Sequence, residues 1–220
     1  VSIEDKKRQL GSLVFSYEMT NKPIDEMSAE FKKEYAQPII EHELSQKETS
    51  CYITIDSAVS EKESADYTGV CINKVDRNNK WHLKTYRLKI NSKELIDHLF
   101  FLSKTYSPQF IGLEETTFTM AIQPFIQEEM RKRNNFFSIT PLKTNAIKKE
   151  LRIRGLIPRW ESKSIFLVGD NLDLLDELRM LPNGKNDDLM DAVSYQLHIA
   201  KPPYYQPINR EEEKETNVAI

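Results

Sequence analysis

The sequence predicts an α/β protein whose core is a mixed β-sheet flanked by helices. Three strand-like runs come first, beginning at Cys51, and helical and strand-like patterns then alternate up to about residue 200. Hairpin-forming strands that lead into alternating helix and strand favour a sheet with both antiparallel and parallel pairs. With 220 residues, the chain is long enough for one sizeable core.

The strands are predicted from short runs rich in β-branched and aromatic residues. The first run ends in an acid, Asp56, and the second and third are separated by DRNN, which is a hairpin turn signal. The fourth run ends in Glu114 and Glu115. In chain order, the predicted strands lie in CYITIDSA, DYTGVCINKV, KWHLKTYRLKI, SPQFIGLEE, NFFSITPL and SIFLVG.

The helices are predicted from apolar residues at helical spacing. The first helix opens with Asn91 and Ser92, which are good capping residues, and the basic third helix is stopped by Gly155 and Pro158. In chain order, the predicted helices lie in NSKELIDHLFFLSKTY, TTFTMAIQPFIQEEMRKRN, KTNAIKKELRIRG, NLDLLDELRML and NDDLMDAVSYQLHIA.

Differences in composition divide the chain into three segments. Residues 1–50 are polar, read as helical and have no core of their own, which predicts a connector that packs on another part of a protein. Residues 51–200 predict one α/β domain. Residues 201–220 combine Pro with mixed charge and no periodicity, which predicts a flexible tail. The charged start without an initiator Met indicates a fragment of a longer protein.

Composition argues against several classes of protein. The chain is 39% hydrophobic and 30% charged. Its apolar runs fall far short of the roughly 20 residues that a membrane span needs, and its charged first residues predict no signal peptide. Cys51 and Cys71 fall in strand-like segments, where two buried thiols are favoured over a disulfide. No Cys and His cluster has zinc spacing, so any metal would be held by oxygen ligands.

Positive charge is concentrated in one part of the chain, although the net charge is −3. Between residues 131 and 163, ten Lys and Arg residues stand against two Glu, a local balance of +8. Such a segment suits sequence-independent contacts with nucleic-acid phosphates, and a solvated amphipathic helix is the alternative. The basic residues are Arg131, Lys132, Arg133, Lys143, Lys148, Lys149, Arg152, Arg154, Arg159 and Lys163.

Three acids fall at the ends of predicted elements. Asp56 closes the first strand, Glu114 closes the fourth, and Asp187 opens the last helix; the three lie 58 and 73 residues apart. Each alone can be a strand end or a helix cap, but separated acids converge only through the fold. If they converge without a cation, repulsion raises their pKa values. Hard cations such as Mg²⁺ or Mn²⁺ turn that repulsion into binding energy.

These motifs resemble the nuclease domain of the large terminase subunit of tailed bacteriophages, which has the RNase H-like fold. The motifs are YITIDSA followed by ADYTGV, then IGLEE, then NDDLMDA, and the resemblance covers roughly residues 8–200. LKTNAIKKELRIRGLIPRW resembles the basic helix that follows the family's fifth strand, and LGSLVFSYEMTNKPID resembles the connector after its ATPase domain. No G-x-x-x-x-G-K-[ST] phosphate loop occurs, so the motor part of such a protein is absent from this chain.

The resemblance implies a metal-dependent DNA endonuclease of the viral packaging motor. It implies Asp56, Glu114 and Asp187 as catalytic metal ligands of Mg²⁺ or Mn²⁺, with two ions about 3.5–4 Å apart. Glu114 is preferred over Glu115 because it stands where the family's acid falls, and Asn186 replaces the His that many relatives carry. Further metal ligands would be Asp66, Asp188 and Asp191, and DNA phosphates would be bound by Lys143, Lys148, Lys149, Arg152 and Arg154.

The implied partners are double-stranded DNA, the portal protein and the small terminase subunit, in the host cell cytoplasm. Two other interpretations stay open. One is another RNase H-like nuclease of the resolvase or RNase H type; the connector before Cys51 and the basic helix argue against it. The other is a non-catalytic DNA-binding assembly module in which the acids are caps.

Overall fold

The described residues form a single seven-stranded mixed sheet in the order β1-β7-β4-β3-β2-β5-β6. The structure is a computed structural model, and it describes residues 30–57, 67–143, 147–181 and 187–203. The strands are β1 (Gln37–Ile39), β2 (Thr49–Asp56), β3 (Thr68–Asp76), β4 (Trp81–Leu88), β5 (Phe110–Glu114), β6 (Ile139–Leu142) and β7 (Ile165–Val168).

Both kinds of strand pairing occur in this sheet. Strands β2, β3 and β4 form an antiparallel meander, while β5 and β6 extend it in parallel beside β2, and β7 and β1 extend it in parallel beside β4. The β3–β4 hairpin turns where predicted, with Asn79 at φ 57°, a left-handed conformation that Asn tolerates well. The predicted α/β mixed sheet flanked by helices is therefore confirmed.

The helices follow the predicted order. Asn91 caps the second helix by accepting hydrogen bonds from the backbone N–H groups of Lys93 and Glu94. The helices are α1 (Glu41–Ser45), α2 (Ser92–Tyr106), α3 (Thr117–Arg133), α4 (Lys149–Arg154), α5 (Ile157–Glu161), α6 (Leu172–Met180) and α7 (Asp188–Ile199).

The helices cover the sheet on both faces. Along β2, Tyr52 contributes to the core beneath α7, whereas the neighbouring Ile53 contributes to the core beneath α2 and α3. This alternation is what a strand buried on both faces requires. Cys51 and Cys71 are free thiols and buried, as the sequence favoured.

The structure differs from the sequence predictions in three places. Pro158 was expected to end the basic helix, yet it lies in the first turn of α5, where a helix tolerates proline. The stretch before Cys51 was expected to be helical, yet residues 37–39 form β1, which pairs with β7 at the sheet edge. The basic helix was expected from residue 143, but α4 begins only at Lys149. No described helix is long and apolar enough to cross a membrane.

Candidate active site

Asp56 and Glu114 lie side by side at one edge of the sheet. The parallel register of β2 and β5 runs up to the pair Ile55 and Leu113, so the next residue of each strand falls at the same level. Since side chains alternate between faces, both acids lie on the face opposite Ile55, which is the face that α7 covers. The side chain of Asp56 is only 15% exposed.

Gly69 allows the start of α7 to reach the same edge. Gly69 pairs with Asp56 across β2 and β3, and a Cβ atom at this position would lie 2.5 Å from the backbone oxygen of Asp188. Only glycine permits so close an approach. Glu177 of α6 fixes this helix end, because its carboxylate accepts hydrogen bonds from the backbone N–H groups of Leu189 and Met190.

A buried polar ladder holds the rest of α7 against the sheet. The Gln196 side chain donates to Oγ1 of Thr54 over 2.9 Å, and the Thr54 hydroxyl in turn donates to the backbone oxygen of Ala192. Both polar side chains are fully buried, so breaking these bonds would leave unsatisfied groups in the core. The ladder therefore fixes where the acids at the start of α7 stand relative to β2.

The Lys149 ammonium lies among three of these acids. Its Nζ atom is 2.9 Å from Oδ1 of Asp187, 3.2 Å from Oδ2 of Asp191 and 3.9 Å from Oδ2 of Asp56. Burial by itself would lower the pKa of Lys149, but the carboxylates of Asp191, Asp187 and Asp56 outweigh burial and raise it. Lys149 is thus held as a cation inside the acid cluster.

The acid cluster carries more negative charge than its surroundings favour. Burial raises the pKa of Asp56 well above its usual range, and the nearby carboxylates of Asp191 and Glu114 raise it further, while Lys149 opposes the shift. A carboxyl group whose pKa is raised by like charges is one that a divalent cation would return to its ionised form. The electrostatics of the site therefore favour an additional cation.

A second group of contacts lies behind Asp191 and Glu114. The Arg152 guanidinium donates to Oδ1 of Asp191, and its Nη2 atom lies 3.4 Å from the hydroxyl of Tyr195. The Tyr195 hydroxyl donates to Oε1 of Glu114 over 2.9 Å. Ser194 also donates to Oδ1 of Asp191, over 3.2 Å. Burial raises the pKa of Tyr195, so its hydroxyl stays protonated and remains a donor.

Glu114, which ends β5, and Glu115, which follows it, have different surroundings. Glu114 is bonded to Tyr195 and faces the cluster, whereas Glu115 lies 3.7 Å from Nζ of Lys143 and lines a separate cavity between β5, β6 and α3. This geometry agrees with the choice of Glu114 made from the sequence. The role of Glu114 stays a prediction.

The carboxylate oxygens of the acid cluster are chemically suited to a hard divalent cation, although the described residues are not arranged as a complete coordination site. Among them, no three His, Cys, Asp or Glu side chains are arranged to hold a metal ion. Lys149 instead supplies positive charge between Asp56, Asp187 and Asp191. Carboxylate oxygens are the ligands that Mg²⁺ and Mn²⁺ prefer, so an ion would enter by replacing this ammonium.

The three other predicted metal ligands differ in where they lie. Asp188 is half-buried at the first position of α7. Burial raises the pKa of Glu177 on α6, and the nearby charge of Asp188 adds to this rise. Asp66 lies outside the described residues. Asp191, which the sequence offered as a supporting ligand, is 3% exposed and contacts both Lys149 and Arg152.

The five predicted DNA-binding residues divide into surface and interior groups. Lys143 and Lys148 are exposed, and Arg154 is exposed but forms an ion pair with Glu30 over 2.8 Å. Lys149 points into the acid cluster. Arg152 is 7% exposed, so its guanidinium serves Asp191 and does not form part of the basic surface expected from the sequence.

The sequence did not single out Tyr195, Gly69 or the inward direction of Arg152. Tyr195 lies four residues after Asp191 and eight after Asp187, which places all three along one face of α7. That spacing was a usable signal. Nothing in the local sequence shows that Gly69 would meet α7, because the contact is made between residues 119 positions apart.

Comparison with known proteins finds similarity in structure alone. No family model matches the chain, and no curated sequence matches it. The large terminase nuclease from thermophilic phage G20c, in a crystal structure with bound zinc, gives a TM-score of 0.52 at 18% identity, over 70% of this chain and 83% of that chain.

Two other solved structures resemble the chain more distantly. The human cytomegalovirus terminase nuclease domain gives a TM-score of 0.47 at 16% identity, over 78% of this chain and 92% of that chain. T. thermophilus RuvC in complex with a Holliday junction substrate gives a TM-score of 0.38 at 11% identity, over 69% of this chain and 96% of that chain. The chain thus shares a fold with the G20c terminase nuclease.

Proposed function

We propose that this chain is a metal-dependent endonuclease, the nuclease domain of a large terminase subunit that cuts concatemeric viral DNA during packaging with little sequence specificity. The observation that supports this most is the convergence of Asp56, Asp187 and Asp191 around the Lys149 ammonium at one edge of the sheet, with Glu114 beside Asp56. The fold shared with the G20c nuclease supports the same conclusion.

The proposed metal ligands are Asp56, Glu114 and Asp187, with Asp188 and Asp191 beside them and Asp66 as a further candidate. Two ions of Mg²⁺ or Mn²⁺, when bound, would supply an activated water molecule and stabilise the charge on the leaving oxygen of a phosphodiester. The G20c nuclease, which shares the fold, holds zinc in its crystal structure, and this supports a divalent ion here.

The protein's own side chains have separable tasks in this proposal. The pairing of β2 with β5 sets the distance between Asp56 and Glu114. The buried polar ladder between α7 and β2 sets the position of Asp187 relative to Asp56. The exposed Lys148, which precedes Lys149 in the chain, and the exposed Lys143 would contact DNA phosphates together with Arg154. Phosphate contacts carry no sequence information, which suits an enzyme that cuts with little sequence preference.

The proposed substrate is double-stranded DNA. The portal protein and the small terminase subunit are the proposed partners, and the host cell cytoplasm is the proposed location. These partners rest on the motif resemblance together with the shared fold.

Cleavage of supercoiled plasmid tests the proposal. The chain would be incubated with Mg²⁺, with Mn²⁺ or with a chelator, beside Asp56→Asn and Asp187→Asn. The control is Asp97→Asn, which removes an exposed acid of α2 that pairs with Arg133. We expect metal-dependent nicked and linear DNA from the wild type and the control, and none from the two site variants.

The same assay separates the alternatives. A non-catalytic binding module would bind DNA in every variant and cut it in none. A junction resolvase would cut a four-way junction in preference to linear duplex DNA of the same sequence, so the two substrates are compared at equal concentration.

A further inference from the structure

Tyr195 is the buried group whose contacts reach furthest into the proposed site. The residue is fully buried on α7, yet its hydroxyl reaches β5 and donates to Oε1 of Glu114 over 2.9 Å. A phenol has one hydrogen to donate, so this bond engages one of the two carboxylate oxygens of Glu114. The other oxygen takes no part in this bond, and Asp56 lies beside Glu114 at the end of the neighbouring strand.

Arg152 fixes the tyrosine in turn. Its guanidinium carbon lies 4.9 Å from the centre of the Tyr195 ring, and its Nη2 atom approaches the hydroxyl to 3.4 Å while bonding Asp191. A cation over the ring and beside the oxygen restricts the rotation of the phenol and polarises its O–H bond. Three elements are thereby joined, because Arg152 belongs to α4, Tyr195 to α7 and Glu114 to β5.

We propose that Tyr195 is a positioning residue for Glu114, whose hydroxyl holds one carboxylate oxygen so that the other is presented towards Asp56 for a divalent cation. This inference rests on the proposed function, since it takes Glu114 as a metal ligand. Tyr195 itself is placed to touch neither substrate nor metal. Hydrogen-bond partners that orient metal ligands typically contribute ten-fold or more to metal affinity.

A matched pair of variants tests this role. Tyr195→Phe removes the hydroxyl that bonds Glu114, and Tyr86→Phe removes a comparable hydroxyl that bonds Nε2 of His98 over 2.9 Å on the opposite face of the sheet. Each variant loses one tyrosine hydroxyl and one hydrogen bond of 2.9 Å, and Tyr195→Phe also loses the longer bond of 3.4 Å that the hydroxyl accepts from Arg152. The readouts are the Mn²⁺ dissociation constant of the metal-free protein by titration calorimetry, and the thermal midpoint.

The positioning role predicts a split between the two readouts. Tyr195→Phe should weaken Mn²⁺ binding roughly ten-fold, while Tyr86→Phe binds Mn²⁺ as the wild type does and both variants lose a similar amount of thermal stability. In a Glu114→Gln background, Tyr195→Phe should cause no further loss of Mn²⁺ affinity. Wild-type Mn²⁺ affinity in Tyr195→Phe, or an equal loss in Tyr86→Phe, would overturn the inference.

The outcomes also separate this inference from the proposed function. Wild-type protein that binds Mn²⁺ but cuts no DNA, with binding that depends on Tyr195, would retain the positioning role and remove the nuclease. Protein that cuts DNA equally well with Tyr or Phe at 195, with unchanged Mn²⁺ affinity, would retain the nuclease and remove the positioning role. Wild-type protein that binds no Mn²⁺ at all would overturn both.

Discussion

The Nζ atom of Lys149 lies 2.9 Å from Oδ1 of Asp187, with Asp191 and Asp56 next nearest. A side chain of α4 therefore supplies the positive charge that the acids at the start of α7 and the end of β2 need. A metal ion bound by these acids, as proposed, would compete with this ammonium. The competition gives the first of five predictions.

Replacement of Lys149 by Met should strengthen Mn²⁺ binding and weaken the metal-free fold. The competitor is gone, so the Mn²⁺ dissociation constant should fall about ten-fold, which corresponds to about 1.4 kcal/mol. The acids then lack their counter-ion, and the free energy of unfolding without metal should fall by about 1 kcal/mol, a discounted value because Lys149 is 33% exposed. Calorimetry and urea unfolding measure these two quantities.

The control for this prediction is Lys148→Met, which removes an exposed lysine from the preceding position. Its Mn²⁺ affinity should equal that of the wild type. Weaker Mn²⁺ binding by Lys149→Met would mean that the ammonium assists metal binding and does not compete with it.

Gly69→Ala should disturb the site by pushing the start of α7 away from β3. The new Cβ atom would lie 2.5 Å from a backbone oxygen, which cannot move without the helix. We expect a loss of about 1–3 kcal/mol in the free energy of unfolding, together with reduced Mn²⁺ affinity. Gly112→Ala is the control, because the atoms nearest to its Cβ would belong to the side chain of Leu142 and not to the backbone. Equal effects of the two substitutions would show that α7 does not depend on Gly69.

Arg152→Leu should be far more damaging than Arg154→Leu, although both arginines lie on α4. Removal of Arg152 takes away one of the two cations that pair with the buried Asp191 and leaves only Lys149, which should cost about 3 kcal/mol in chemical unfolding. Arg154 forms its ion pair with Glu30 at the surface, so its removal should leave the unfolding midpoint almost unchanged. Similar midpoints for the two variants would contradict the buried role of Arg152.

Lys148→Gln should weaken DNA binding in a salt-dependent way. Each phosphate contact contributes about 0.9 to the slope of log affinity against log salt concentration, so loss of one contact should reduce the slope by about that amount. Fluorescence anisotropy with duplex DNA in the absence of divalent metal measures the slope. Lys104→Gln, on α2, is the control and should leave the slope unchanged. An unchanged slope in Lys148→Gln would remove Lys148 from the DNA surface.

The two cysteines should resist thiol reagents in the folded protein. Burial raises the pKa of both Cys51 and Cys71 to about 12, and the thiol form reacts poorly. Because the unfolded thiols ionise near pH 9, stability should fall as the pH rises above that value and be unaffected by the thiols below it. Labelling with a disulfide reagent at pH 8 should require denaturant. Rapid labelling of native protein would show that one thiol is accessible.

Much of the sheet could be predicted because its strands carry their own local signals. Three elements combine a periodic pattern with a recognisable boundary. They are the hairpin of β3 and β4 that turns at Asn79, the capped start of α2, and the strand that ends in Glu114. The gathering of Asp56, Glu114 and Asp187 could be expected because strand ends meet at one edge of a sheet.

The remaining features depend on contacts that the local sequence does not encode. Strand β1 is three residues long and forms by pairing with β7 at the side of the sheet. A hydrophobic pattern of three residues is too short to predict a strand. In the sequence, Arg152 is one of a series of basic residues that predicts a surface patch. Its side chain points into the protein because it pairs with Asp191, which lies 39 residues further along the chain. Tertiary partners decide such short or charged elements, and local propensity is a weak guide to them.

Anomalous scattering of Mn²⁺ in crystals of this chain tests most directly whether these acids form one divalent-cation site. We predict an anomalous peak bounded by the carboxylates of Asp56, Glu114 and Asp187, with the Lys149 ammonium displaced from its position among them. Crystals at saturating Mn²⁺ with no peak at this edge of the sheet, and with Lys149 still bonded to Asp187, would show that the acids form no such site.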